Sequence, residues 1–459
     1  MPARPLRSLC AIGAAALTGC GAPSSSAPPS PVVADPCAVV AQAASPFATV
    51  RVALLTPVAP ANAPVPGSDA ERLVFRQLYE TLVRVDCAGV VRPGLARRWR
   101  AEDGGTRWIF ELWPGARFWD GTPVDAAALR ASWGGDRALA VEDVQSSGVN
   151  AVAVSLHSPR PIEAFGDAAW SVVKRILESP WPLGTGPVWT GGWEGEGLLR
   201  ATPLPDAPQG TPLLEFRTAV AADPRDVLDQ PADVIVTRDA GTVRYAAGRG
   251  DWRVVPLPWD RVYVLASPLR VRSGVTVQLD SAAQVSLARD AVRDDARVPE
   301  QDAWWADSRC PPDVLAPAAR PDPMAQAPST AVILPAGDRV AGDLVARLVA
   351  RADAELADLL GSRPRGLRAG PAGPADYAAA LAAGHASAFV VPLPRHPLDA
   401  CRAAVELRAS APWLHADGVW AGDALAALIE TRAHLLVRDV PVAHLERDGG
   451  VRLVPVRHP

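Results

Sequence analysis

The stretch from Leu78 to Val124, LYETLVRVDCAGVVRPGLARRWRAEDGGTRWIFELWPGARFWDGTPV, constrains the fold more than any other part of the chain. Within it, Arg107–Trp113 alternates apolar and polar side chains, which predicts a strand with one buried face. Turns are predicted at Trp113-Pro114-Gly115 and at Asp120-Gly121-Thr122-Pro123. A helix is then expected to begin after an N-cap at Asp125. The stretch therefore predicts a strand, two turns and a helix in close succession.

Predicted strands alternate with predicted helices along the rest of the chain. Short apolar or β-branched runs predict further strands at residues 49–55, 151–156, 213–217, 233–237, 253–265, 331–335 and 388–393. Helices are predicted after the capping box Ser68–Glu71 and over residues 162–177, 342–360 and 423–436. This order indicates an α/β protein with largely parallel or mixed sheets. Because 459 residues exceed the roughly 250–300 that one core supports, two or more lobes are expected.

Four sequence elements resemble a known family when they are taken in order. They are LYETLV at 78–83, the PGLA turn at 93–96 with Trp99, the block RWIFELWPGARFWDGTPV at 107–124, and the PLGTGP turn at 182–187. Their order and spacing are similar to those of the family 5 extracellular solute-binding proteins. These are the oligopeptide, dipeptide and nickel receptors of ABC importers.

The resemblance implies the type II periplasmic-binding-protein fold, with two hinged lobes and a small inserted subdomain. Mapped onto this chain, lobe I combines residues 48–80, 182–264 and 436–459. The inserted subdomain is then 81–181 and lobe III is 265–435. The family binds its solute between the two lobes, so a ligand site is expected in the crevice that separates them.

The amino-terminal residues predict export and lipid attachment. Arg4 and Arg7 precede an apolar run from Leu9 to Leu17 that is too short to span a bilayer. The next residues, Leu17-Thr18-Gly19-Cys20, resemble a bacterial lipobox, which makes residues 1–20 a signal peptide and Cys20 the lipidated residue. Residues 21–47, rich in Ala, Pro and Ser at the start, are predicted to form a flexible tether. The alternative is an ordinary secretory signal with an incidental cysteine.

Four cysteines remain after removal of the signal and lipidation of Cys20. They are Cys37, Cys87, Cys310 and Cys401. An even number in an oxidising compartment suggests two disulfides, although four cysteines permit three pairings. Proximity in the chain favours Cys37–Cys87 and Cys310–Cys401. The chain contains no CxxC spacing, so a zinc site is not expected.

Sequence signatures of catalysis are missing. The chain has no GxSxG, HExxH or P-loop motif, and its histidines are spaced too irregularly for a helical metal pair. A net charge of −4 gives no electrostatic signature of nucleic-acid binding. We therefore expect a protein that is not an enzyme and has no catalytic residues, cofactor, metal or nucleic-acid partner.

Aromatic and charged residues near the expected hinge are the candidate ligand contacts. The chain has 15 Trp but only 7 Phe and 4 Tyr, and Trp offers a large apolar surface with one hydrogen-bond donor. Trp259, Asp260, Arg261 and Tyr263 follow a predicted lobe I strand, so Asp260 is predicted to meet a cationic group and Arg261 an anionic one. The alternative is a hinge strand with an internal Asp–Arg pair. Further candidates in lobe III are Trp304, Trp305 and Trp413.

The function predicted from these features is solute capture at the cell boundary. A monomeric lipoprotein, periplasmic or on the cell surface, would bind a small solute such as a peptide and deliver it to an ABC permease in the membrane. The alternative is an envelope sensor or assembly lipoprotein that keeps the fold without delivering a ligand. The lobe III acid that peptide receptors commonly use has no aligned counterpart here, so the ligand class stays open.

Overall fold

The computed structural model describes most of the chain after residue 34. The described residues are 35–39, 49–134, 139–195, 197–219, 223–268, 286–287, 289–291, 297–300, 331–360, 367–396, 400–416, 419–420, 424–438, 440, 442–455 and 457. The predicted signal peptide, most of the predicted tether, Cys20, Trp304, Trp305 and Cys310 lie outside these ranges. Residues Pro36–Pro459 form one compact unit.

The described chain contains 23 strands and six α-helices. In chain order the strands are β1 Ala38–Val39, β2 Thr49–Leu54, β3 Val83–Val85, β4 Val91–Pro93, β5 Ala96–Glu102, β6 Arg107–Leu112, β7 Val141–Gly148, β8 Ala151–Leu156, β9 Val188–Trp189, β10 Trp193–Glu194, β11 Leu198–Pro203, β12 Leu213–Thr218, β13 Val234–Thr237, β14 Arg253–Ala266, β15 Arg297–Pro299, β16 Ala331–Pro335, β17 Arg368–Ala372, β18 Ala388–Pro394, β19 His415–Ala416, β20 Val419–Trp420, β21 Leu425–Val437, β22 Ala443–Leu445 and β23 Val451–Arg452. The helices are α1 Asp69–Leu78, α2 Ala126–Trp133, α3 Ala240–Ala247, α4 Arg339–Leu360, α5 Pro374–Ala383 and α6 Ala400–Ser410.

A mixed sheet of twelve described strands runs through the molecule. Its order is β10-β11-β12-β2-β13-β21-β14-β18-β16-β17, with β9 beside β11 and β15 beside β21. Strands β12, β2 and β13 are mutually parallel, as are β18, β16 and β17. We use lobe I for β2, β9–β13, α1 and α3, and lobe III for β16–β18 and α4–α6. Each lobe thus has its own parallel core, as expected of an α/β protein.

Two long antiparallel strands connect the lobes. Strand β14 pairs with β21 from Arg253 to Ala266, and the register shifts three times along the way. The amino-terminal part of β14 lies beside the β13 side of the sheet, and its carboxy-terminal part pairs with β18 of lobe III. Because the two strands pass from one lobe to the other, we call them the hinge strands, and their register shifts are irregularities of the kind at which strands bend.

The inserted subdomain is an antiparallel sheet, β5-β6-β8-β7, packed against α2. Its core is aromatic, and the ring centroids of Phe110 and Phe165 lie 4.9 Å apart. Trp133 and Trp170 pack edge to face at 5.1 Å. Asp125 caps α2 by accepting a 2.8 Å hydrogen bond from the Ala128 N–H, so the predicted helix start is confirmed.

The amino-terminal segment is attached to the body by a disulfide. Cys37 is bonded to Cys87, with Cα atoms 5.5 Å apart. The adjoining β1 pairs with β22 in a small three-stranded sheet that also contains β23. The side chain of Cys401, in α6, lies outside the described part of the structure.

Two predicted helices are wrong. The predicted helix over residues 423–436 is instead most of strand β21, whose edges pair with β13 and β14 and most of whose side chains are buried. Residues 162–177 form only short 3₁₀ turns at Ile162–Gly166 and Ala168–Trp170. There Asp167 accepts the Ala169 N–H and ends the first turn, which interrupts any longer helix. Helix α4 begins at Arg339, three residues before the predicted start.

Candidate functional site

A cavity of about 560 Å³ lies between the lobes, and we call it the cleft cavity. Lobe I contributes the end of β2, the start of α1 and the end of β13, while lobe III contributes the end of β16 and the start of α4. Hinge strand β14 contributes Arg261 and Tyr263. In parallel α/β sheets the carboxyl ends of strands and the starts of helices meet at one edge, where ligands usually bind. The cleft cavity occupies this edge in both lobes.

The three aspartates that line the cleft cavity each accept hydrogen bonds from neighbouring groups of the protein. Asp69 receives two hydrogen bonds from Arg238, at 2.7 and 2.8 Å. Asp338 accepts the Tyr263 hydroxyl at 3.0 Å and caps the start of α4. Asp239 caps α3 by accepting the N–H and the hydroxyl of Thr242, at 2.7 and 2.8 Å.

Behind the cleft cavity, Asp260 is the centre of a buried ion network. Its side chain is 4% exposed and binds Arg238, at 2.8 Å, and Arg72. Burial opposes ionisation of Asp260, but the charges of Arg238 and Arg72 outweigh it and lower the pKa of this carboxyl. Burial likewise opposes ionisation of Asp69, and the charges of Arg238 and Arg261 overcome it and lower its pKa. Both acids are therefore ionised and paired at neutral pH.

A second cavity, of about 300 Å³, lies on the other side of Arg72. It is lined by the loop before α1, by Asp167 of the inserted subdomain, and by the lobe III segment that follows β18. Four of its side chains form what we call the latch cluster, namely Asp167, His396, Arg402 and Glu406. Asp167 binds Arg402 at 3.0 Å and lies 3.6 Å from His396, and Glu406 binds both of these basic groups. The latch cluster connects the inserted subdomain to lobe III.

Charge in the latch cluster is set by its two acids. Burial disfavours protonation of His396, yet hydrogen bonds to Asp167 and Glu406 prevail and raise the pKa of this imidazole to about 9. Burial also disfavours ionisation of Asp167, but the charge of Arg402 and the His396 hydrogen bond lower its pKa. Two cations and two anions therefore face one another across the contact at neutral pH.

The predicted ligand residues are placed in different surroundings. Arg261 and Tyr263 line the cleft cavity, whereas Asp260 lies in the buried ion network. The Arg432 guanidinium lies over the Trp259 ring, 4.6 Å from its centroid. Trp413 packs on Phe389, and its indole N–H donates to the Leu381 carbonyl at 2.6 Å, so its donor is used inside lobe III. A ligand role for any of these residues stays a prediction.

Sequence reasoning missed several residues of the cleft cavity, among them Asp69, Arg238, Asp338 and Arg339. A signal was present, because Asp69, Asp239 and Asp338 each stand at or next to the start of a helix. Acidic residues at helix starts that follow predicted strands mark the ligand edge of an α/β sheet. Among the described residues no group of three or more His, Cys, Asp or Glu side chains is arranged to hold a metal ion.

Solved structures with similar architecture cover nearly the whole chain. The dipeptide-binding protein of Pseudoalteromonas, in complex with Met-Leu, has a TM-score of 0.61 at 12% identity and covers 88% of this chain and 99% of its own. AgaA of A. tumefaciens, in complex with agropinic acid, has a TM-score of 0.58 at 14% identity, with 85% and 93% covered. NikA of Brucella suis, in complex with Fe(III)-EDTA, has a TM-score of 0.55 at 15% identity, with 85% and 95% covered.

The chain has the fold of these solute-binding proteins. The predicted type II periplasmic-binding fold, with two hinged lobes and an inserted subdomain, is therefore confirmed. The predicted resemblance to family 5 solute-binding proteins is confirmed at the level of this fold. At these low identities the binding-protein fold is what the likeness shows.

Sequence relatives match only a short segment. The "Probable deoxycholate-binding periplasmic protein YgiS" of Escherichia coli is 40% identical over 60 residues, which are 13% of this chain and 11% of that protein. A binding protein of Haemophilus influenzae is 35% identical over 66 residues, 14% of this chain and 13% of its own length. A comparison with protein-family models found no match.

Proposed function

We propose that this protein captures a small solute between its lobes and delivers it to an ABC import permease. The cleft cavity carries the proposal, because both lobes and the hinge strand contribute to its wall. A solute held there contacts both lobes only when they are closed. Its contacts with the second lobe therefore stabilise the closed form relative to the open one.

The hinge supports closure as the mechanism. Strands β14 and β21 cross between the lobes, and the register between them shifts near Trp259 and Tyr263. Bending at such irregular positions changes a few backbone angles while the parallel core of each lobe stays intact. A permease would then distinguish loaded receptors by their closed shape.

Attachment to a membrane is the second part of the proposal. The Leu17-Thr18-Gly19-Cys20 sequence would place a lipid on Cys20, and residues 21–47 would give the body freedom to reach the permease. Several acyl chains on one residue hold a protein at a bilayer, because each buried CH₂ contributes about 0.8 kcal/mol. Among the residues that the structure describes, no helix has the length and apolar character needed to cross a membrane.

Solute binding and closure are tested together. Calorimetry against a panel of organic acids, amines, neutral amides, dipeptides and metal chelates identifies binders, and small-angle scattering with each binder measures the radius of gyration. We expect at least one class of solute to bind and to reduce that radius. A folded protein that binds none of them and keeps its shape would support the alternative, an envelope protein without solute delivery.

The lipid anchor has a separate test. The full chain and its Cys20→Ala variant are expressed in a bacterium that processes lipoproteins, and membranes are separated from soluble protein. We expect the full chain in the membrane fraction, with a mass that includes acyl chains on Cys20. The variant is expected in the soluble fraction, and an equal distribution of the two proteins would refute lipidation.

A further inference from the structure

Two arginines that line the cleft cavity make only long contacts with the carboxylates of the described residues. The Arg261 side chain is 17% exposed, and its nearest carboxylate, on Asp69, is 3.8 Å away. Its other interaction in the described part of the chain is with the Tyr263 phenol oxygen. Arg339 is 60% exposed and lies 3.8 Å from Asp239. By contrast, Arg238 binds Asp69 through two short hydrogen bonds, so the loose contacts leave donors of Arg261 and Arg339 available.

The acids of the same cavity are more fully hydrogen-bonded than these two arginines. Asp69, Asp239 and Asp338 each accept two or more hydrogen bonds from donors of the fold. Of the four arginines that line the cavity, Arg238 is paired with Asp69 and Asp260, and Arg297 is paired with Asp343. Arg261 and Arg339 are the two lining arginines with no carboxylate of the described residues closer than 3.8 Å, so their donors favour a ligand with a negatively charged group.

Three helices add to this preference. Helices α1, α3 and α4, of 10, 8 and 22 residues, all start at the wall of the cleft cavity. The start of a helix carries a partial positive charge. Helix starts alone do not make a site, but here they surround the space that Arg261 and Arg339 border.

Much of the remaining wall is apolar. Its apolar side chains are those of Leu54, Leu55, Pro57, Leu73, Val236 and Val340. Such a surface stabilises a hydrocarbon body by removing it from water. A small hydrophilic anion would leave this part of the wall unused.

We propose that the solute of this binding protein is an amphipathic organic acid. Its carboxylate is bound by Arg261 and Arg339 near the starts of the three helices, and its apolar body lies against the hydrocarbon part of the wall. This inference rests on the proposed function and deepens it, because it names the chemical class of the solute.

The test uses probes that differ only in their charged end. Octanoate, octanamide and octylamine share one apolar body, and acetate has the carboxylate without that body. Deoxycholate and its amide form a second matched pair with a larger body. Calorimetry with the refolded, ligand-free mature protein measures each dissociation constant at one pH and one salt concentration.

We expect each amphipathic acid to bind at least about tenfold more tightly than its amide, which corresponds to about 1.4 kcal/mol. Acetate is expected to bind more weakly than octanoate. In Arg261→Gln the preference for acid over amide should disappear, because the main carboxylate donor is removed. The exposed Arg339→Gln is expected to reduce the preference, and it serves if Arg261→Gln does not fold. Arg200→Gln, at an exposed arginine of β11 that pairs with Glu194 and Glu215, is the matched control and should retain the full preference.

Several outcomes would overturn the inference. An amide or amine that binds as tightly as its acid would do so, as would a preference for acids that survives loss of both Arg261 and Arg339. If none of these acids binds while a solute of another class closes the lobes, the inference fails and the proposed function stands. If nothing binds and no closure occurs, the proposed function fails with it.

Discussion

At the scale of single residues, Asp260 is the acid on which the ion network depends. Its carboxylate is almost fully buried and neutralises Arg72 and Arg238, which come from α1 and from the end of β13. Removal of one partner from a buried ion pair leaves a charge that water cannot solvate. The network therefore holds lobe I to the hinge strand only while Asp260 is ionised.

The variant Asp260→Asn tests this dependence. The amide keeps the size of the side chain but removes the negative charge, so Arg72 loses its carboxylate partner and Arg238 retains only Asp69. We expect the free energy of unfolding to fall by about 3–5 kcal/mol. Urea denaturation followed by tryptophan fluorescence measures it.

The control for this variant is an aspartate with the same type of partner in a solvated place. Asp251 pairs with Arg249 and Arg438, and its side chain is 43% exposed. We expect no measurable loss of stability in Asp251→Asn, because exposed ion pairs contribute little. Equal losses in the two variants would show that burial of Asp260 has no special importance.

The sequence could indicate an Asp–Arg pair at Asp260 but not the identity of the partners. The arginine adjacent in sequence is Arg261. The structure instead pairs Asp260 with Arg238, 22 residues away, and with Arg72, 188 residues away. Such contacts depend on how β13, β14 and α1 pack in three dimensions, which a local sequence pattern cannot predict. For the same reason the latch cluster, which joins Asp167 to Arg402 over 235 residues, was not predicted.

At the scale of elements, hinge strand β21 shows where periodicity fails. The sequence from Leu425 to Val437 is LAALIETRAHLLV, in which Ala and Leu favour helix. Its neighbours β13 and β14 cover both edges, and ten of its residues are buried in two uninterrupted runs. A fully buried strand and a buried helix have the same apolar character, so tertiary pairing decides between them. In β6 the buried Trp108, Phe110 and Leu112 alternate with the less buried Arg107 and Glu111, and this strand was predicted nearly to the residue.

The disulfide Cys37–Cys87 joins the segment that precedes β1 covalently to the body of the protein. It closes a loop with a sequence separation of 50, and a loop of that length restricts the unfolded chain by about 4 kcal/mol. We therefore expect the double variant Cys37→Ser, Cys87→Ser to lose about 2–5 kcal/mol of unfolding free energy. Differential scanning calorimetry with urea denaturation measures the loss.

Reducing agent provides the control for this prediction. Dithiothreitol should lower the stability of the wild-type chain to that of the double variant treated in the same way, because both then lack the Cys37–Cys87 bond. If the double variant is as stable as the oxidised wild-type chain, the Cys37–Cys87 bond does not stabilise the protein. A further loss on reduction of the double variant would reveal another disulfide, as predicted for Cys310 and Cys401.

At the scale of the whole molecule, two cavities lie on either side of the Asp260 network. The cleft cavity contains the side chains that suit a solute, while the second cavity contains the latch cluster between the inserted subdomain and lobe III. A hinge motion at β14 and β21 that opens the cleft would also separate Asp167 from His396 and Arg402. Such a motion would link closure to the latch cluster, and proton uptake would measure the linkage.

His396 makes the stability of the latch cluster dependent on pH. Asp167 of the inserted subdomain and Glu406 of α6 face it, Arg402 binds both acids, and Arg395, Arg72 and Asp448 line the same cavity. With the latch cluster formed, as in this structure, hydrogen bonds to Asp167 and Glu406 raise the pKa of His396 from its ordinary 6.5 to about 9. A raised pKa contributes stability that is fully present below about pH 6.5 and is lost as the pH rises through about 9. The latch cluster is therefore weakest in alkaline solution.

The last prediction follows from this sign. Between pH 6.5 and 9.5 we expect the affinity for a solute that closes the lobes to fall, by at most about 3 kcal/mol or roughly 100-fold. Binding near pH 8 should take up protons, which calorimetry detects as a heat that changes with the ionisation enthalpy of the buffer. In His396→Gln the proton uptake should vanish and the affinity should become nearly independent of pH, whereas His157→Gln, at an exposed histidine, should behave as the wild-type chain. Proton uptake that persists without His396 would assign the linkage to another group, and constant affinity in the wild-type chain would show that the latch cluster does not open with the cleft.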